Sequence, residues 1–174
     1  TLRLDGRVIE VTGSSWMDHE FGTTFLERDQ RGWDWFSVQL EDGHDLMLYQ
    51  LRRSDGSVDP RSSGTLVSPD GTFAPIRFEN GVRLEPGRTW TSRASGGRYP
   101  VAWRISTQGA GTGLDLSVVA ALDDQELRTG QSTGVAYWEG AIDVAGTLNG
   151  KAVKGRGYLE MTGYSGPVLG SLLR

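Results

Sequence analysis

The 174-residue chain contains no cysteine, which excludes disulfides, thiol nucleophiles and cysteine-ligated metals. It has no apolar run near the ~20 residues that a membrane-spanning helix requires, so no transmembrane segment is expected. It has only two histidines, His19 and His44, which leaves too few ligands for a zinc site. Basic residues form no cluster and the net charge is −4, which argues against nucleic acid as a partner.

Motifs for nucleophilic or cofactor-dependent catalysis are missing too. There is no G-x-S-x-G nucleophile elbow, and the closeness of Ser14 and Ser15 to His19 in sequence is not the geometry of a triad. The alternating glycines of residues 109–113 are not surrounded by a βαβ unit, so they do not indicate a dinucleotide-binding loop. We therefore expect neither a metal nor an organic cofactor.

Glycine, by contrast, is abundant, with 25 residues in the chain. Many glycines follow Asp or Asn, a dipeptide that favours the type I′ turns of β-hairpins. These steps are Asp5-Gly6, Asp42-Gly43, Asp55-Gly56, Asp70-Gly71, Asn80-Gly81 and Asn149-Gly150. No window of helical length has a convincing 3.6-residue apolar period, although residues 123–127 are compatible with one helical turn. The polar loop 53–64 is expected to be exposed.

The runs between the turns predict strands. They lie near residues 3–11, 33–40, 45–53, 64–68, 73–78, 81–85, 101–107, 113–120, 134–145 and 152–162. Such a chain forms either a sandwich or a barrel. Several strands combine one aliphatic face with one aromatic-plus-polar face, which suits a barrel around a lined cavity. We therefore predict an all-β protein: one antiparallel lipocalin-like (calycin) β-barrel domain over residues 1–174.

The densest group of reactive side chains is Asp18, His19 and Glu20, which Trp16 and Phe21 flank. A carboxyl group beside aromatic walls is pushed toward its neutral form and can act as a general acid. The same triplet is also compatible with a polar strand end that forms ordinary salt bridges. We take Asp18, His19 and Glu20 as candidate catalytic residues.

A second set of residues is compatible with a ligand cage of aromatic walls and a few orienting polar groups. Its members are Trp16, Trp33, Trp35, Gln39, Tyr49, Gln50, Tyr137, Glu139, Tyr158 and Glu160. For any single aromatic residue, plain core packing is the alternative. Because residues i and i+2 of a strand share a face, we expect six of them to point into the barrel interior. These six are Trp35, Gln39, Tyr137, Glu139, Tyr158 and Glu160.

Several stretches of the chain resemble a known family. They are residues 15–22, 32–40, 46–52, 90–92, 99–100, 124–127, 137–140 and 157–164, and they span nearly the whole chain in order. On these stretches the chain resembles the carotenoid hydratase/AttH-type lipocalin-like family, some of whose members are labelled predicted secreted hydrolases. Members of that family resemble proteins built of two lipocalin-like barrels in tandem, and this chain resembles the C-terminal barrel.

The resemblance carries several functional expectations. It implies addition of water to a carotenoid double bond without a cofactor, or cyclisation as in fungal relatives. Trp16-Met17-Asp18 and Trp33-Asp34-Trp35 match the hydratase pattern, in which the aspartate of the first motif is the acid. His19-Glu20 departs from that pattern and resembles the AttH branch. The resemblance further implies an N-terminal barrel as partner and a secreted or periplasmic location. Residues 1–5 show neither an initiator Met nor a signal peptide, which fits a chain cut from a longer one.

Three functions follow as hypotheses. The first is a cofactor-independent hydratase or cyclase, in which Asp18 protonates an apolar unsaturated substrate and Glu139 or Glu160 positions water. In this hypothesis the π faces of Trp16, Trp35 and Tyr137 stabilise the carbocation. The second is a barrel that binds a lipid, polyene or polyketide without changing it. The third is a structural half that packs against an N-terminal barrel.

Overall fold

The computed structural model describes residues 1–19, 26–107, 112–129 and 135–166. Apart from one 3-10 turn at Phe78–Asn80, every regular element in these residues is a strand. In chain order they are β1 (Leu2–Leu4), β2 (Arg7–Ile9), β3 (Gln30–Leu40), β4 (Asp45–Arg53), β5 (Ser63–Val67), β6 (Phe73–Arg77), β7 (Val82–Pro86), β8 (Thr89–Thr91), β9 (Arg98–Pro100), β10 (Ala102–Thr107), β11 (Leu114–Ala120), β12 (Glu126–Arg128), β13 (Ala136–Leu148) and β14 (Lys151–Thr162). The all-β prediction is confirmed. No helix of the described part is long and apolar enough to cross a membrane.

Ten strands form one antiparallel sheet in the order β6-β5-β4-β3-β14-β13-β11-β10-β7, with β12 paired to β13 beside this path. The path bends into a nearly closed barrel, because its two end strands, β6 and β7, are joined by only the short segment 78–81. Pro75 lies on the end strand β6, where the missing N–H leaves no ladder bond unmade. The predicted antiparallel barrel is therefore confirmed.

Hairpin turns of the predicted kind set the register of the longest strands. β13 and β14 pair from Leu148↔Lys151 onward around Asn149-Gly150. Both turn residues have positive φ, 51° and 76°, as a type I′ turn requires. Asp5-Gly6 forms the same kind of turn, so the single strand predicted near 3–11 is in fact the hairpin β1–β2. A turn residue with positive φ cannot continue a strand, which is why the run divides there.

The interior of the barrel is filled by apolar side chains. Phe36 and Trp103 meet edge to face, with ring centroids 5.5 Å apart, and both are buried. Around them lie the aliphatic faces of the strands: Val38, Leu46, Leu48, Ile105, Leu116, Val118, Ile142, Val144, Leu159 and Met161. Full burial of one such side chain contributes about 1.5–3 kcal/mol, so this set dominates the stability of the fold.

One local prediction is wrong and another holds only in part. Residues 123–127 do not form a helical turn, because Glu126–Arg128 pairs with β13 as strand β12. Loop 53–64 is exposed over residues 54–58, 60 and 61, as predicted, but the Asp59 side chain is fully buried. Its carboxylate accepts hydrogen bonds from Gln30 at 3.0 Å and from the Arg61 backbone N–H at 2.9 Å. These bonds fold the loop back onto the barrel.

Candidate active site on the outer face of the barrel

The register of β4, β3, β14 and β13 arranges the candidate residues in cross-strand rows on the outer face of the barrel. In one row, Trp35 lies opposite Tyr49 on β4 and opposite Glu160 on β14, and Glu160 lies opposite Glu139 on β13. The next rows carry Ser37 with Tyr158 and Gln39 with Arg156. We call this surface the outer face.

A pocket of about 460 Å³ lies between the outer face and the segment 14–18. Its described lining residues are Ser14, Ser15, Trp16, Asp18, Trp35, Ser37, Gln39, Glu139, Arg156, Gly157, Tyr158 and Glu160. This volume falls within the range of small-molecule sites, roughly 300–1,000 Å³. The wall is mixed, with aromatic rings on both sides and charged groups between them. The pocket therefore suits a largely apolar molecule with a few polar groups.

The expectation that the aromatic-plus-polar residues line the barrel interior is wrong. Trp35, Gln39, Tyr137, Glu139, Tyr158 and Glu160 do share one face, but it is the outer face. Period-2 alternation assigns residues to two faces without saying which one turns inward. The aliphatic set occupies the interior because its burial is the more favourable, and the segment 14–18 covers part of the other set.

Trp16 connects Asp18 to the sheet. Its indole Nε1 donates a hydrogen bond of 3.0 Å to Oδ1 of Asp18, and its ring meets Trp35 edge to face at 6.2 Å between centroids. Asp18 itself is exposed, so aromatic walls do not desolvate it as expected. His19 is exposed and is not among the described lining residues, and Glu20 lies outside the described residues.

The wall opposite Asp18 carries two carboxylates. Trp33 holds one of them, because its Nε1 donates a 3.0 Å hydrogen bond to Oε1 of Glu160. Glu139 lies directly across from Glu160 on β13. Burial raises the pKa of the Tyr158 hydroxyl, and the negative charges of the two glutamates raise it further. Tyr158 is therefore a neutral hydrogen-bond donor in this wall.

Three candidate residues lie outside the described lining of the pocket. Trp33 and Tyr137 pack edge to face at 6.4 Å, beside Leu26 and Val135, at one end of the outer face. Tyr49 shares the row of Trp35, but its hydroxyl donates to the carbonyl oxygen of Arg61 at 3.0 Å. These three side chains border the site without lining its described wall.

Gln50 lies on the opposite face of the sheet, because the alternation of β4 turns it inward. Its Nε2 donates a 2.7 Å hydrogen bond to Asp34, which is fully buried. Arg52 also pairs with Asp34, at 3.0 Å from Nε to Oδ2. Burial raises the pKa of the Asp34 carboxyl, and the Arg52 charge opposes that shift. Asp34 and Gln50 thus belong to a buried polar cluster at one end of the barrel, not to the pocket.

The candidate residues taken from the sequence do not include five of the described lining residues: Ser14, Ser15, Ser37, Arg156 and Gly157. Two of them follow from the pattern once the outer face is known, since Ser37 lies between Trp35 and Gln39 on β3 and Arg156 precedes Tyr158 by two. In the part of the chain that the structure describes, no three His, Asp or Glu side chains group closely enough to hold a metal ion.

Known proteins resemble the chain in sequence and in fold. The AttH-like family model matches residues 1–164. Kievitone hydratase of Fusarium solani subsp. phaseoli is 29% identical over 156 residues, which are 84% of this chain and 40% of that protein. A protein designated AttH from Nitrosomonas europaea has a crystal structure that matches with a TM-score of 0.71 and 36% identity, over 82% of this chain and 42% of that one.

The crystal structure of kievitone hydratase from Nectria haematococca shares the fold, with a TM-score of 0.63 and 20% identity over 79% of this chain and 40% of that one. The chain thus spans about two fifths of the length of the relatives it matches. The match of the family model over nearly the whole sequence decides the assignment. The chain belongs to the AttH-like family.

Proposed function

We propose that the outer-face pocket adds water, without a cofactor, to a carbon–carbon double bond of an apolar unsaturated small molecule. The observation that carries this proposal is the pairing of two carboxylates across one pocket. Asp18 is positioned by Trp16 on one side, and Glu160 is positioned by Trp33 on the other. Membership of the AttH-like family and the 29% identity to a hydratase support the same reaction class.

The reaction balances with these side chains alone. The Asp18 carboxylic acid donates its proton to one alkene carbon, which forms a C–H bond and leaves a cation on the other carbon. The π faces of Trp16 and Trp35 stabilise that cation. A water molecule attacks it to form the C–O bond, and Glu160 accepts the proton that the water releases. Return of this proton to Asp18 through solvent restores the site, and one water has been added.

In the proposed reaction, the substrate itself desolvates the acid. Asp18 is exposed, and a general acid must be protonated before it can donate. An apolar molecule that fills the pocket displaces water from beside Asp18, and a less polar environment favours the neutral carboxylic acid over the carboxylate. On this view the acid becomes competent only when a substrate covers it.

The exposure of Asp18 also favours a second candidate function, a binding site without chemistry. The two functions can be distinguished because only the hydratase releases a hydrated product. Incubation with conjugated polyenes and unsaturated polyketides in isotopically labelled water, followed by mass spectrometry, detects the hydrated product. A bound but unaltered molecule would support the binding module.

The substitution Asp18→Asn tests the role of the acid. It keeps the hydrogen-bonding shape but has no acidic proton, so turnover should fall ~10²–10⁴-fold while ligand affinity stays similar. Asp115→Asn is the matched control, because Asp115 is exposed and pairs with Arg104 elsewhere on the barrel. Turnover that survives in Asp18→Asn would overturn the proposed mechanism.

We also propose that this barrel works beside a second, preceding barrel in one longer protein. Two observations support this arrangement: the chain covers only about two fifths of its relatives, and the hairpin β1–β2 leaves Leu2 and Leu4 about 60% exposed. Slower hydrogen exchange of residues 2–9 in a longer chain is the expected result. If the hydrogen exchange of residues 2–9 is the same in the longer chain, the hairpin does not pack against a second barrel, and the proposed arrangement is wrong.

A further inference from the structure

Charge is distributed unevenly along the pocket. Asp18, Glu139 and Glu160 lie around the row of Trp35, as the Trp16 contacts and the β13–β14 register show. Among the lining residues that the structure describes, Arg156 is the one cation. It precedes Glu160 by four residues on the same face of β14, which separates the two Cα atoms by ~13 Å. The pocket lining therefore has three carboxylates at one end and a single guanidinium at the other, in a row that Asp143 and Asp45 also share.

Arg156 is available to a ligand. It lies between Gln39 on β3 and Asp143 on β13, each directly opposite in register. Its Nε is 3.5 Å from Oδ1 of Asp143, and the two side chains are 89% and 66% exposed. An exposed pair of this kind is weak. A guanidinium has five N–H donors in a planar fork, so it can bind a second anionic oxygen group while Asp143 remains nearby.

We propose that the pocket takes an amphiphilic unsaturated acid whose carboxylate or phenolate oxygen binds Arg156, an inference that rests on the proposed hydration. The anionic group cannot favour the other end, where three carboxylates repel it. Binding at Arg156 then places the apolar part of the molecule over Tyr158 and Trp35, toward Asp18. Arg156 acts as a specificity-determining residue that sets which double bond reaches the acid.

The sheet geometry also limits the distance between the anionic group of the ligand and its reacting double bond. The rows of Arg156 and Glu160 are ~13 Å apart, and the long arginine side chain can shorten that span by several ångströms. The reacting carbon should therefore lie on the order of 7–13 Å from the anionic group. Acids whose double bond lies closer to the carboxylate should bind but escape hydration.

The test uses two fluorescent probes that differ only in charge: cis-parinaric acid, a conjugated polyene acid, and its methyl ester. Binding is followed by quenching of tryptophan emission through energy transfer to the polyene. The wild-type chain should bind the acid about two- to fivefold more tightly than the ester, as an exposed charge pair provides. Arg156→Gln should remove this preference by weakening the binding of the acid more than that of the ester.

Two further variants separate a ligand role from a structural one. Asp143→Asn removes the competing carboxylate but does not alter a described lining residue, so acid binding should tighten a few-fold. Arg104→Gln is the matched control, because Arg104 forms an exposed Arg–Asp pair with Asp115 away from the pocket. If Arg156 serves only its pair with Asp143, Arg156→Gln and Arg104→Gln will behave alike.

The outcomes distinguish this inference from the proposed reaction. Equal binding of acid and ester by the wild type, binding of neither, or a preference that persists in Arg156→Gln overturns the assignment of Arg156. A preference that depends on Arg156, without hydration of any unsaturated acid, retains the anion site and overturns the hydration. Hydration of uncharged alkenes alone, with no preference for the acid in binding, retains the proposed hydration and overturns the anion site at Arg156.

Discussion

The hydroxyl of Tyr164 donates a 3.0 Å hydrogen bond to Oδ1 of Asp34, a residue 130 positions earlier in the chain. Asp34 is fully buried, and Gln50 and Arg52 occupy its other oxygen. The Arg52 guanidinium lies 4.0 Å above the centre of the Tyr164 ring, in a cation–π contact. These bonds attach the segment that follows β14 to one end of the barrel.

The first prediction concerns that attachment. Tyr164→Phe keeps the ring and its contact with Arg52 but removes the hydroxyl donor from a buried carboxylate. The free energy of unfolding should fall by about 1.5–3 kcal/mol, because hydrogen bonds to charged groups are the stronger ones. The urea midpoint measures the change. Tyr158→Phe is the matched control, since its hydroxyl contacts only a carbonyl oxygen at 3.4 Å and is partly exposed, so its midpoint should stay nearly unchanged.

The second prediction concerns acid stability. Hydrogen bonds from the Arg61 side chain and backbone, and from Gln30, hold the pKa of Asp59 well below its ordinary value of 3.8. A carboxyl whose pKa is lower in the folded state stabilises the fold above its unfolded pKa, and this stabilisation is lost as the pH falls. The free energy of unfolding should therefore decline as the pH drops below about 4.

Asp59→Asn tests this assignment, because the amide does not titrate. The variant should be less stable than the wild type at about pH 7, and the difference should shrink toward about pH 3. Asp55→Asn serves as a comparison: hydrogen bonds from Ser57 also lower the pKa of that exposed carboxylate, but they lie within one turn, so its pH-dependent difference should be smaller. A constant difference between Asp59→Asn and the wild type across this range would contradict the prediction.

Local chemistry made much of the fold predictable. The dipeptide Asn149-Gly150 predicted a hairpin turn, because few other residues accept the positive φ that both turn positions require. The two-residue alternation of β3 placed Trp35 and Gln39 on one face of the sheet. The inward face was not predictable, because that choice depends on which set of side chains the whole barrel buries. The role of Asp59 was hidden for a similar reason, since its partner Gln30 is 29 residues away. The contact of Trp16 with Trp35 likewise depends on the path of a loop.

The third prediction concerns close approach of strands at the pocket floor. A Cβ added at Gly157 would clash with the backbone carbonyl of Ser37, which cannot move without separating β3 from β14. Gly157→Ala should therefore destabilise the protein by about 1–3 kcal/mol, the usual cost of overpacking. Thermal unfolding measures the effect. Gly13→Ala is the control, because nothing lies within 4 Å of its added Cβ, and equal melting temperatures for the two variants would refute the clash.

The last prediction concerns Trp33 as a positioning residue. Trp33→Phe keeps an aromatic ring against Tyr137 but removes the 3.0 Å hydrogen bond that fixes the Glu160 carboxylate. If Glu160 accepts the proton of the attacking water, loss of this hydrogen bond should lower kcat about tenfold while KM changes little, since substrate still binds the intact wall. Trp90→Phe provides the control, because Trp90 stacks on Tyr99 and is not among the described lining residues. A rise in KM with unchanged kcat in Trp33→Phe would show that Trp33 shapes the pocket instead, and equal effects of the two variants would reduce its role to packing.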